Sequence, residues 1–132
     1  MRTAATTIQF IVRLGGTLQL ALGLLFWAGY ALDFVGLHML LGILLVLALW
    51  ALAGMAIGAR VAPGLAALAF AWGLVTPVLG MAQTQLLPGG AHWLIRVLHL
   101  LVGLGLLALG ETLARRIRDA RPAAREQPAA IG

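Results

Sequence analysis

The chain contains no cysteine, no serine and no lysine, and only 10% of its 132 residues are charged. The first absence removes disulfides, thiolate metal sites, haem attached through thioethers and cysteine nucleophiles together. The second, with no carboxylate pair near a histidine, leaves hydrolytic catalysis without support. Phosphate loops are missing too, because the glycines form no strand-loop-helix motif. At 62% hydrophobic residues and a mean hydropathy of +1.02, the chain has too little polar surface for a water-soluble globule, so lipid is its expected solvent.

What is present is a succession of apolar runs, each close to the roughly 20 residues a crossing helix needs. The first goes from Leu14 to Leu32, between Arg13 and Asp33. Gly29, Tyr30 and Ala31 mimic a signal-peptidase site, but the apolar stretch is too long for a signal peptide, and the segment reads as helix 1. The second run, Gly36 to Ala59, ends at Arg60. The third follows Pro63, a favourable first helical residue, and continues to Leu87, where Pro88, Gly89 and Gly90 break the chain. The fourth goes from about Ala91 to Leu113.

The expected fold is therefore all-α: an integral membrane four-helix up-down bundle over residues 1–114, with helices at about 8–32, 36–59, 63–87 and 91–114. Residues 115–132 read as a basic, disordered tail, because Pro122, Pro128, several alanines and mixed charge give no apolar periodicity. Pro77 frees the carbonyl of Gly73 within helix 3, with the Thr76 hydroxyl as a local partner, and predicts a kink. Gly54 and Gly58 in helix 2, and Gly103 and Gly105 in helix 4, suit close helix contacts. Glu111 and Arg115 have the spacing of an ion pair at the exit of helix 4.

The net charge of +5 comes from nine arginines against four acids. The arginines lie at span ends and in the tail rather than on a basic globular face, so they read as topology signals and lipid-headgroup contacts, and a nucleic-acid partner is not expected. Arg2, Arg13, Arg60, Arg115, Arg116, Arg118, Arg121 and Arg125 share one side, with only Arg96 near the other. Both termini are thus expected in the cytoplasm, in a membrane such as the bacterial inner membrane. Trp27, Tyr30 and Trp93 fit an outer aromatic belt.

Ionisable groups inside a span are costly, which makes the three histidines the informative residues. His38 lies near the start of helix 2, and His92 and His99 lie in the first half of helix 4. Leu37-His38 is followed by Gly42, and Leu98-His99 by Gly103, so that in each helix a glycine sits one turn below the imidazole and leaves a flat space where a macrocycle edge fits. Helices 2 and 4 run parallel, diagonally across an up-down bundle, and two neutral imidazoles converging there would supply both axial ligands of a haem iron. Arg96, on nearly the same face as His92 and His99, is the candidate partner for a propionate, with Tyr30 and Gln83 beside it. Headgroup contact is its alternative role.

This pattern resembles membrane b-type cytochromes of the cytochrome b561-like kind: one histidine on each of two alternate, parallel helices, each followed by a small residue. The resemblance implies one non-covalent haem b, with His38 and His99 as iron ligands and Arg96, Gly42 and Gly103 around it. Two-haem members carry a second histidine further along each ligand helix, but Ala51 or Leu52 and Thr112 or Leu113 stand there in this chain, so a second haem is not expected.

A depth count complicates the pair. His38 is 22 residues from Arg60 and His99 is 16 from Arg115, an offset of about 9 Å along the helices, so His92 is an alternative ligand at better-matched depth. Met39, Met55 and Met81 are minor alternatives. The expected function is membrane electron transfer with a quinone/quinol or membrane redox partner, in the lipid bilayer, alone or as a homo-oligomer. Two other readings stand beside it. One is a cofactor-free membrane subunit or scaffold whose histidines hydrogen-bond to Gln19 and Gln83. The other is a transporter or sensor in which His38, His92 and His99 bind a transition metal or titrate.

Overall fold

The computed structural model describes residues 2–120, and within them the chain is helical with no strand. Four helices are each long and apolar enough to cross a membrane: α1 (Arg2–Trp27), α2 (Val35–Gly58), α3 (Pro63–Ala82) and α4 (His92–Asp119). A single 3-10 turn, Leu32–Phe34, leads into α2. The expected disorder of the tail falls mostly outside the described residues. Its first part is helical, because α4 continues through Arg115, Arg116 and Arg118 to Asp119.

Local chemistry explains where the helices stop. At the end of α1, Gly29 takes a φ of +84°, and the amides of Gly29 and Tyr30 bond the carbonyls of Phe26 and Leu25 at 3.0 and 2.8 Å. This left-handed glycine cap ends the helix five residues before Leu32. α2 closes in the same way with Arg60 in the glycine position, at a φ of 55°. Its amide bonds Ile57 and that of Val61 bonds Ala56. α3 ends at Ala82 instead of Leu87, where Gln83, Thr84 and Gln85 replace the apolar sequence by turns. It passes through Pro77, but the Thr76 hydroxyl bonds the carbonyl of Trp72 at 2.9 Å and not that of Gly73.

The helices pack in an up-down ring, with α2 and α4 also touching across the diagonal. Each neighbouring pair meets where a large side chain of one helix lies on a glycine of the next. Gln19 of α1 lies on Gly42 of α2, Trp50 of α2 on Gly73 of α3, Trp72 of α3 on Gly105 of α4, and Leu107 of α4 on Gly16 of α1. A Cβ at Gly73 or Gly16 would overlap the seated side chain, and one at Gly105 would lie 2.6 Å from the Trp72 ring. Both indoles also donate across the interface, Trp72 Nε1 to the Val102 carbonyl at 2.9 Å and Trp50 Nε1 to that of Phe70 at 3.3 Å. Gly54 and Gly103, which the spacing suggested as contacts, face open space. Spacing along a helix identifies glycines on a shared face but not which face meets a neighbour.

The core is one-sided. Val12, Leu49, Leu52, Ala53, Ala56, Ala66, Leu113 and Ala114 are essentially inaccessible, and all lie toward the end where the described arginines other than Arg96 gather. The same end has a polar clamp between α1 and α4. Arg13 grips Glu111 with two hydrogen bonds of 2.6 and 2.8 Å, Gln9 donates to the same carboxylate at 2.7 Å, and Arg118 donates to Gln9 Oε1. Glu111 is therefore paired with Arg13 of α1 rather than with Arg115 of its own helix. A fork of two parallel bonds to a neighbouring helix is stronger than a solvated pair one turn away. Toward the other end, α2 has no buried residue before Leu45 and α3 none after Gly73.

The glycine seats carry a direct expectation. Gly73→Ala drives a methyl into Trp50 and should destabilise the detergent-solubilised protein by about 1–3 kcal/mol in a denaturant titration. Gly54→Ala, facing open space, should leave stability unchanged or raise it by up to about 1 kcal/mol. Equal effects of the two would remove the seats from the packing of the bundle.

Candidate functional site

The loosely packed end holds the histidines. His38 comes from the first turns of α2 and His99 from the third turn of α4, and the diagonal contact of these helices brings the two imidazoles together. Their centroids lie 6.4 Å apart with an interplanar angle of 49°. Phe26 of α1 presents to His38 in an edge arrangement at 5.3 Å and 68°. His92 is elsewhere, at the first residue of α4, with its Nδ1 3.2 Å from the carbonyl of Leu86. Of the two candidate partners for His38, the structure sets His99 against it.

The depth count failed for a specific reason. It aligned Arg60 with Arg115, but Arg60 lies in a left-handed turn beyond the end of α2 at Gly58, whereas Arg115 is within α4, so the two do not mark the same helical depth.

The glycines that receive the imidazoles are on the neighbouring helices. A Cβ at Gly23 of α1 would lie 3.7 Å from His38 Cε1, and one at Gly80 of α3 would lie 3.2 Å from His99 Cε1. Gly42 instead receives the Gln19 amide, and Gly103 meets nothing. The signal missed in the sequence is a repeated spacing: Gly16 and Gly23 stand seven apart ahead of His38, as Gly73 and Gly80 do ahead of His99. Each hairpin thus brings a glycine pair and then a histidine, and the two hairpins present their histidines to one another. Nothing in the pattern pointed to Phe26.

Three buried side-chain polar atoms among the described residues lack a hydrogen-bond partner: Gln19 Oε1, His38 Nδ1 and His99 Nδ1. The two Nδ1 atoms belong to the facing rings, and Gln19 is tied to the same stretch of α2, since its Nε2 donates to the His38 carbonyl at 2.8 Å. Buried polar groups are otherwise paired, so unpaired ones that converge point to a site. The Gln19 contact is to the backbone and leaves both rings free, and Gln83 bonds neither, so the glutamine pairing expected of a scaffold does not form. Nor do the three histidines meet: no group of three or more histidine, aspartate or glutamate side chains that could hold a metal ion forms among the described residues. Met39 and Met81 are exposed, Met55 packs against the core, and none joins the pair.

These residues fit a haem in several respects. Imidazole–metal bonds of about 2 Å place two axial nitrogens about 4 Å apart and their ring centroids roughly 6 Å apart, which is the separation found. The rings seat on Gly23 and Gly80, where a side chain would crowd them, and the buried core cluster stops short of this level. Arg96 is exposed one turn from His99 toward the start of α4 and pairs with no carboxylate among the described residues, as the expected propionate partner must. Tyr30 is exposed at the same end.

An imidazole kept unpaired in a bundle costs stability that an apolar side chain would not. His99→Leu should raise the stability of the cofactor-free protein by about 1 kcal/mol in micelles. A loss of similar size would mean that the ring nitrogens have partners in the folded chain. Comparison with family models, with characterised proteins and with solved structures finds no match for this chain.

Proposed function

We propose that this protein is a haem b-binding electron carrier of the membrane, holding one haem non-covalently between His38 and His99 and exchanging single electrons with a quinol or a membrane redox partner. The observation that carries this reading is the pair of half-buried imidazoles, one from each hairpin, whose Nδ1 atoms are buried without partners and whose rings stand at the separation that two ligands of one iron need. A haem in such a site supplies reversible one-electron chemistry in an apolar, water-poor surrounding.

The chain's own residues divide the remaining work. His38 and His99 bind through neutral imidazole nitrogens, Gly23 and Gly80 admit the rings, and Phe26 limits water at His38. Arg96 would hold a propionate at the outer surface. The arginine-rich end faces the cytoplasm, as the bias of eight arginines to one requires, so both termini are inside and the site lies toward the outer face of a plasma membrane such as the bacterial inner membrane. A haem held by His38 and His99 would exchange electrons near that face.

The test is the visible spectrum of the protein expressed with ample haem, oxidised and then reduced. A Soret band with sharp reduced bands, lost in His38→Ala and in His99→Ala but kept in His92→Ala, is the expected result. Retention of the low-spin spectrum in His99→Ala would dismiss the pair. A colourless wild-type protein would favour a cofactor-free membrane subunit.

A further inference from the structure

The two hairpins repeat each other, and the place where the repetition fails lies at the histidines. Gly23 and His38 of the first hairpin correspond to Gly80 and His99 of the second. Gln19, four residues before Gly23, corresponds to Thr76, four residues before Gly80. Gln19 reaches across to α2 and donates to the carbonyl of His38 itself at 2.8 Å. Thr76 turns back and donates to Trp72 within α3. The second hairpin does have a cross-helix donor, Trp72 Nε1, but it holds the carbonyl of Val102, nearly one turn deeper than His99.

The rings differ in the same sense. His38 has Phe26 against it, whereas the one ring stacked near His99 is His38. The Gln19 amide is itself fixed, because it lies on Gly42, where a Cβ would come within 3.1 Å of Nε2. Gln19 therefore ties the backbone that carries His38 to α1, and among the described residues the second hairpin has no equivalent tie at the His99 carbonyl.

We infer that Gln19 is a positioning residue for the site and that the two histidines are held unequally, His38 as the anchored ligand and His99 as the one that gives way to an added ligand. The class of added ligand is a small neutral donor, an N-heterocycle or a diatomic gas, arriving on the His99 side. This rests on the haem-binding reading. With haem bound, His99→Ala leaves the anchored histidine in place, while His38→Ala leaves only the weakly held one.

The experiment uses the full chain, purified in micelles after expression with haem, with haem per protein and ferric spin state read from the absorption spectrum. His99→Ala should retain haem in a high-spin form, and free imidazole should restore the low-spin spectrum. His38→Ala should lose about tenfold more haem, with no recovery by imidazole. Gln19→Met, similar in size but without the donor, should weaken haem retention about tenfold in the His99→Ala background. Gln19→Leu repeats the test, and helical circular dichroism identifies any variant that fails to fold. Haem retention that is equal in the two histidine variants, or indifferent to Gln19, would overturn the inference while leaving haem binding intact. A wild-type protein that never takes up haem would overturn both.

Discussion

Four helices long and apolar enough to cross a membrane would gain little in lipid by hiding one leucine behind another, so the bundle depends on close approach at a few points. Those points are the glycine seats. A tryptophan of α2 lies on Gly73 and one of α3 on Gly105, each also giving its indole N–H to a carbonyl of the facing helix, and Leu107 on Gly16 joins the first and last helices. Everything else in the arginine-rich half follows from the spacing these contacts set, including the small side chains of Ala53, Ala56, Ala66 and Ala69 that fill the centre with almost no exposed area.

The same spacing separates the molecule into two regimes. Near the arginines the interior is tight and its polar groups are fully paired, with Glu111 accepting from Arg13 and Gln9 while Gln9 accepts from Arg118. Near the histidines there are fewer buried residues and three unpaired polar atoms. A helix bundle that invests its packing at one end can leave the other open to a cofactor without losing its fold, because the helices are already fixed relative to one another.

Much of this was legible in the sequence. Four apolar runs gave four helices, and the histidines on alternate helices gave a meeting point across the diagonal. The glycines were harder, since Gly42 and Gly103 share a face with the histidines of their own helices, whereas the imidazoles lie on Gly23 and Gly80 of the helices beside them. Intrahelical spacing carries no information about which residue a neighbouring helix supplies. The register between helices was equally hidden, because Arg60 lies in a left-handed turn past the last residue of α2 and is not a depth mark for it. The ends of α1 and α3 came earlier than the hydropathy indicated, because a left-handed glycine and a run of glutamines and threonine act on the backbone rather than on polarity averaged over a window.

The closure between α1 and α4 has a consequence for the chain as a whole. Three joints of the ring are covered by covalent loops, and the fourth is made by Leu107 on Gly16, by Glu111 with Arg13, and by the Arg2 guanidinium on the carbonyl of Ala120 at 3.2 Å. The first and last described residues therefore lie within one side chain's length of each other. The order in which the helices follow one another is thus a matter of synthesis rather than of architecture: a chain opened at another loop and joined at this one would meet the same neighbours.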